Sequence, residues 1–198
     1  MRRRRTTMVS AIALVLVIGG CSESGEEVAA LDGPVDLRTA SGSSSSWRPA
    51  SAGREWTANV AFDICVKGGG EATVRTLEVN GSPARSGGPV TGYLHVNDEV
   101  GTSGFMALTG DPQRLFREYG GTATPIDGAR LDRPCPRTSP GFAQLVMSIA
   151  VPPEGFAIRT YGITYEIDGT SYRATNDEWT YVACGTEQPR EMCSGVAK

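Results

Sequence analysis

Residues 163 to 175 constrain this chain more than any other stretch. Ile163, Tyr165 and Ile167 alternate with Thr164, Glu166 and Asp168, and after Asp168-Gly169 the chain returns over 170–175. Alternation at every second residue separates the two faces of a strand. Asp-Gly between two such runs selects a type I′ hairpin, because glycine supplies the positive φ that matches the twist of the flanking strands. A helical repeat cannot use this pattern, so the segment commits the chain to antiparallel sheet.

Other segments read the same way. Over 59–66, Val60, Phe62, Ile64 and Val66 share one face, while Ala61, Asp63 and Cys65 share the other. Gly68-Gly69-Gly70 breaks that strand, and a second follows over 72–79. Its apolar phase shifts between Val74 and Leu77, which predicts a bulge. Residues 93–96 form a short strand. Over 144–151, Leu145, Met147, Ile149 and Val151 point one way and Gln144 and Ser148 the other, until Pro152-Pro153 ends the run. Residues 179–184 read as the last strand, with Trp179, Tyr181 and Ala183 on a core face. One segment is helical: Asp111 is an N-cap, Pro112 sits at the first helical position, and Leu115, Phe116 and Tyr119 make an apolar face before Gly120. Two turns of helix need packing to persist. Short strands, glycine-rich turns and one small helix predict a mainly β fold. Its expected form is an immunoglobulin-like antiparallel β-sandwich with one short helical insert.

The N-terminus carries a different kind of information. Arg2, Arg3, Arg4 and Arg5 precede an apolar run over 9–18, then Gly19, Gly20 and Cys21. A basic stretch, a short apolar stretch and small residues make a secretory signal over 1–20. The run is about ten residues long, whereas a membrane-spanning helix needs roughly twenty. Ile18-Gly19-Gly20-Cys21 resembles the lipobox of bacterial lipoproteins. That resemblance implies cleavage before Cys21 and a diacylglyceryl (palmitate-type) thioether on its sulfur. Two acyl chains give stable anchoring where one gives marginal binding. The expected location is therefore the extracytoplasmic face of the cell membrane.

Removing 1–20 takes away four arginines and no acid, moving the formal charge from −3 to −7. An acidic surface argues against nucleic acid as a partner, which requires a basic face. With Cys21 assigned to lipid, Cys65, Cys135, Cys184 and Cys193 remain, and an even number in an exported chain predicts two disulfides. Four cysteines allow three pairings. The reading leans to Cys135–Cys184 with Cys65–Cys193, the second pinning the C-terminal tail. Zinc ligation is disfavoured, because no pair has CxxC spacing and there is one histidine.

Residues 21–55 are expected to be the lipidated cysteine and a flexible Ser/Gly-rich tether, with Ser22 to Glu27 polar and acidic and serine dominating 41–46. As a coil of about 34 residues it would reach roughly 30 Å. Trp47 is its lone aromatic, either docked or exposed. The β-sandwich domain then spans 56–198.

The stretches Gln144-Leu145-Val146-Met147-Ser148-Ile149 and Gly162-Ile163-Thr164-Tyr165-Glu166-Ile167-Asp168-Gly169, with a strand ending in Cys184, complete a pattern. Together they resemble small secreted lipoproteins of actinobacteria that have immunoglobulin-like sandwiches and no assigned function. The resemblance covers residues 130–185, with a weaker echo at 62–79, and implies fold and envelope location only.

The sequence offers little catalytic inventory. His95, the single histidine, lies opposite Leu94 and Val96 in its strand, a surface or edge-strand position. There is no Gly-x-Ser-x-Gly elbow, no Ser-x-x-Lys, no P-loop and no dinucleotide fingerprint. Asp98-Glu99 and Asp177-Glu178 are adjacent pairs that point apart on strands and suit turns or edges. No catalytic residue, metal site or cofactor is expected. The function that follows is non-enzymatic: a membrane-anchored lipoprotein binding a protein or cell-envelope polymer through its loops, with 80–92 and 121–141 the first places to look. The alternative is a small-ligand or metal-ion binding lipoprotein using the helical insert as a pocket wall. An envelope hydrolase ranks third.

Overall fold

The computed structural model describes residues 30–31, 33–38, 42–47, 55–85, 87–99, 107–135, 141–187 and 193. In chain order the strands are β1 (Ala30–Leu31), β2 (Val35–Arg38), β3 (Gly42–Ser46), β4 (Trp56–Lys67), β5 (Ala72–Val79), β6 (Ser82–Pro83), β7 (Val90–Asn97) and β8 (Ala107–Thr109). Helix α1 (Pro112–Tyr119) follows, then β9 (Thr122–Pro125), β10 (Arg130–Leu131), β11 (Pro134–Cys135), β12 (Phe142–Val151), β13 (Phe156–Ile158), β14 (Tyr161–Ile167), β15 (Thr170–Asn176) and β16 (Trp179–Ala183). The expected signal peptide over 1–20 and Cys21 lie outside the described residues.

Three sheets result. The first has the order β1-β15-β14-β5-β10, with β6 beside β5. The second runs β11-β4-β12-β7-β9, with β2 and β8 on β4. A smaller sheet is β13-β16-β3. The long strands pair antiparallel, and the three parallel pairings all involve short strands: β1 on β15, β11 on β4 and β3 on β16. Connections from β4 to β5, from β5 to β7 and from β12 to β14 cross between the two large sheets, so their inner faces must pack on one another.

The expected alternation decides which residues meet there. Val60, Phe62, Ile64 and Val66 of β4 join Leu145, Met147 and Ile149 of β12 against Val74, Leu77, Ile163 and Tyr165 of the opposite sheet, all buried in one cluster. Trp179, Tyr181 and Ala183 close the same core, with the rings of Phe62 and Tyr161 stacked at 4.5 Å. This is the β-sandwich that the period-two pattern predicts. The hairpin forms as expected, with Asp168 at φ 50° and Gly169 at φ 78°. So does the bulge: Thr164 faces Thr76 and Tyr165 faces Val74, leaving Arg75 as the extra residue.

Helix α1 starts and stops where its sequence says. The Asp111 carboxylate accepts from the Gln113 N–H at 3.1 Å, and Gly120 takes φ 69° at the other end. Leu115 and Phe116 are buried. Phe116 packs with Ala61 and Val146 on the outer face of the second sheet, flanked by Tyr93, Leu108, Tyr119 and Ala123. The insert between β7 and β12 thus covers a sheet face that a plain sandwich would leave to water.

The tether boundary at residue 55 is corrected. Residues 30–46 contribute three strands, one to each sheet. Val35 and Leu37 are buried in the main core, and the Val35 N–H donates to the Tyr165 hydroxyl oxygen at 3.0 Å. Gly33 lets this strap cross: a Cβ there would lie 2.0 Å from the Tyr165 hydroxyl and 2.8 Å from Tyr172. The serines of β3 need no apolar face, because backbone pairing with β16 holds them. Two buried residues in a four-residue strand are enough to recruit it to the sheet, yet too few to stand out as periodicity.

Candidate functional surfaces

All four expected cysteines form disulfides, with a different pairing from the one favoured above. Cys65 joins Cys135 and Cys184 joins Cys193, with Cα separations of 5.4 and 6.0 Å. The reason is register. β11 runs beside β4 with Cys135 opposite Lys67, two residues from Cys65. Cys184 follows the last strand and is buried with Cys193 and Val182 in a small cluster of its own. The C-terminal tail is pinned, by Cys184 in place of Cys65.

Asp36 lies directly across from Cys65 on β2. Its carboxylate and the sulfurs of Cys65 and Cys135 fall within 4.8 Å of one another. Joined to each other, those sulfurs offer no thiolate to a metal.

The outer face of the second sheet carries a polar row. Gln144 pairs with Asp63 on one side and His95 on the other. The Gln144 amide donates to the Asp63 carboxylate at 3.4 Å, a long contact. His95 is fully buried, which corrects the surface position expected for it. Its strand face is as read, but Phe116 from the insert lies over it at 5.4 Å and Phe142 flanks it at 5.5 Å. His95 Nε2 lies 2.7 Å from the Gly120 carbonyl oxygen. A carbonyl only accepts, so Nε2 carries the proton and donates. Asn97 donates to the Tyr119 carbonyl at 2.9 Å, and Asn59 to the Gly110 carbonyl at 2.9 Å. These side chains satisfy backbone groups at both ends of the helix, so the row fastens the insert to the sheet. Gly121 completes the seam, since a Cβ there would fall 2.3 Å from the Val96 carbonyl oxygen.

A groove of about 790 Å³ runs between β2 and β15, lined by Pro34, Asp36, Lys67, Tyr172, Arg173 and Thr175 among others. Its charges are matched: Lys67 lies 3.9 Å from Asp36 within the groove, and Arg173 pairs with Glu78 on β5, outside it. Composition gave no sign of this groove, because its lining comes from strands about 140 residues apart.

Register sorts the loops into two ends. Glu166 faces Thr73, so the turns at 68–70 and 168–169 share one end. Tyr161 faces both Val79 and Asn176, so 80–81, 159–160 and 177–178 lie together towards the other, short of its tip, because β13 and β16 continue the pairing past them to 152–155. At that second end Asn80 and Gly81 form a two-residue hairpin turn, with φ 51° and 75°. The Asn80 side chain donates to the Ala157 carbonyl at 2.7 Å and accepts from the Arg159 and Thr160 N–H groups at 2.8 and 3.3 Å. Most of the expected contact loop 80–92 therefore lies at this end, its last residues belonging to β7. The 121–141 segment is built into β9, β10 and β11 where it is described. Asp98, Glu99, Asp177 and Glu178 are exposed. Trp47 is the exposed large hydrophobic residue among those described, at 41%. The glycine–serine cluster at 101–104 falls outside the described residues.

Titration follows packing. Burial pushes the Tyr181 hydroxyl up to about 12, with Ser46 of β3 offsetting part of the shift. Burial also raises Tyr165, against the Val35 N–H that stabilises its anion. The Arg75 hydrogen bond holds Glu166 below the usual glutamate range.

Comparison with known protein families, curated proteins and solved structures finds no match to this chain.

Proposed function

We propose that this protein is a membrane-anchored, extracytoplasmic lipoprotein whose sandwich binds a protein or envelope polymer without catalysing a reaction. The observation that carries the reading is a count of sulfurs. Of five cysteines, Cys65, Cys135, Cys184 and Cys193 bridge one another, leaving Cys21 outside both bridges, directly after Ile18-Gly19-Gly20. Two structural disulfides fit an oxidising compartment. Within sheets of seven and six strands, the runs β2-β4-β12-β7 and β5-β14-β15 support an immunoglobulin-like reading of the sandwich. In such sandwiches the end loops carry recognition, on a scaffold that holds them still.

The buried polar residues support binding over chemistry: His95, Asn97 and Asn59 are each engaged by backbone carbonyls of the insert. The test is fractionation. Cys21→Ala should move the protein from the membrane fraction to the soluble one and abolish incorporation of labelled palmitate. Retention in the membrane with no acyl label would overturn the reading. Crosslinking in intact cells from the 80–81 and 177–178 turns, set against crosslinking from 168–169, tests the binding half.

A further inference from the structure

We infer that the envelope polymer this sandwich binds is a neutral polysaccharide, and that it lies across β15 in two hollows that share Arg173 and Thr175. The inference rests on the proposed reading of a non-catalytic binding protein and adds the ligand class and its site.

Strand pattern makes both hollows. On β15, Tyr172 and Ala174 pack against the core, so Arg173 and Thr175 point to the outer face of the first sheet. Thr175 lies opposite Gly162, which lies opposite Glu78 on β5. Gly162 has no side chain, and a Cβ there would fall 2.6 Å from the Ala174 carbonyl oxygen. Position 162 therefore stays open and floors a hollow of about 280 Å³, walled by Glu78, Arg173, Thr175 and Asp177. On the other side of β15, β1 pairs only with Tyr172 and Arg173 before the strap crosses to β2. That departure leaves the groove of about 790 Å³, which Asp36 and Lys67 line from the second sheet. Arg173 and Thr175 line both hollows, so the two adjoin across a single strand.

The chemistry repeats from one hollow to the next. Each holds a carboxylate beside a cation: Glu78 with Arg173 in one, Asp36 with Lys67 at 3.9 Å in the other. A carboxylate only accepts hydrogen bonds, a guanidinium or ammonium only donates, and a sugar hydroxyl does both. Neighbouring hydroxyls on a sugar ring therefore match the acceptor and donor of each hollow, with the Thr175 hydroxyl between the two. Glu78 takes Nη2 of Arg173, one part of a guanidinium that carries five N–H donors. The four charged side chains keep between 21% and 62% of their surface exposed, within reach of a ligand. With Asp177 the hollows hold three acids and two bases, which disfavours a polyanion. An apolar ligand would strip water from these charges and return no hydrogen bonds. A neutral polyol that repeats along a chain satisfies both hollows at once.

Titration calorimetry on the purified native protein is the test. The probes are hexasaccharides of neutral glucan, mannan, galactan and N-acetylglucosamine polymer, with an alginate hexasaccharide as the polyanion. One or more of the neutral hexasaccharides should bind, about tenfold tighter than the matching disaccharide, because only the longer chain fills both hollows. That affinity should hold between about 50 and 200 mM salt, a range over which contacts to a polyanion weaken steeply. Arg173→Lys keeps the charge but loses the planar fork, and should weaken binding about tenfold. Thr175→Val removes the hydroxyl shared by both hollows and should weaken it about threefold. Failure of every neutral hexasaccharide to bind, preference for alginate, equal affinity for hexasaccharide and disaccharide, or binding unchanged in both variants overturns the inference. Two further results keep it apart from the reading beneath it. A protein partner crosslinked in cells from the 80–81 turn, with no saccharide bound, defeats the polysaccharide and leaves the binding reading. A hexasaccharide that binds in the hollows and is shortened by the protein supports the site and defeats the non-catalytic reading.

Discussion

The two ends of the sandwich are closed by different means. At the end where the strap joins, a disulfide ties residues 70 apart in sequence, and β1 and β2 add their strands to two different sheets. At the opposite end the disulfide spans a separation of nine, and the Asn80 side chain gathers the backbone of 157, 159 and 160. One end is held by long-range ties that constrain the whole chain. The other is held by local ties that constrain mainly their own loops. Loops held locally can vary in sequence and conformation while the scaffold stays fixed, which suits an end that meets a partner.

Breaking the ties should rank them. Replacing Cys65 and Cys135 with serine should cost the most, about 4 kcal/mol from the loop it opens. Denaturant titration would measure it, and a loss below that at the other bridge would erase the proposed contrast. The Cys184→Ser, Cys193→Ser pair should cost about 2.5 kcal/mol. Its hydrogen-exchange effects should stay within the far end. Gly33→Ala forces a methyl group against Tyr165 and Tyr172 and should cost about 2 kcal/mol, with exchange rising first in β2. Asn80→Ala should cost about 1 kcal/mol. Asn80→Gly separates the lost hydrogen bonds from the positive φ, since glycine keeps the turn.

Titration sharpens the same contrast with smaller effects. Glu166 at the near end has its folded value depressed by Arg75. Its contribution is present above the unfolded glutamate value and is lost as pH falls through the folded one. Glu166→Gln should therefore flatten part of the acid loss of thermal stability and leave the alkaline side alone. Tyr181 has the opposite sign. Its contribution is complete below the unfolded value of about 10 and is lost as pH rises towards about 12. Tyr181→Phe should remove that alkaline loss, seen as a melting temperature that holds steady where the native protein's falls.

Much of the frame was legible in the sequence because it is written in local patterns. Alternation over 59–66 and 144–151 placed the core residues of β4 and β12 on their inner faces. Asp168-Gly169 located the hairpin, and Asp111-Pro112 with Gly120 bounded the helix. What stayed hidden depends on residues far apart. His95 reads as a surface residue because the phenylalanine that covers it is 21 positions downstream, on an insert whose docking no period announces. The strap reads as tether because β2 has two apolar residues and β3 none. The disulfide pairing follows from β11 lying beside β4, a parallel contact of two residues. The groove between β2 and β15 exists because the strap folds at all.

The central claim is that four cysteines brace the sandwich and the fifth carries lipid. Proteolytic mass mapping of protein from the membrane fraction, without reduction, tests it most directly. The account predicts bridged peptides for Cys65–Cys135 and Cys184–Cys193, with an N-terminal peptide beginning at Cys21 and carrying a diacylglyceryl mass. A peptide retaining Arg2 to Arg5, or Cys21 found in a bridge or unmodified, would contradict it.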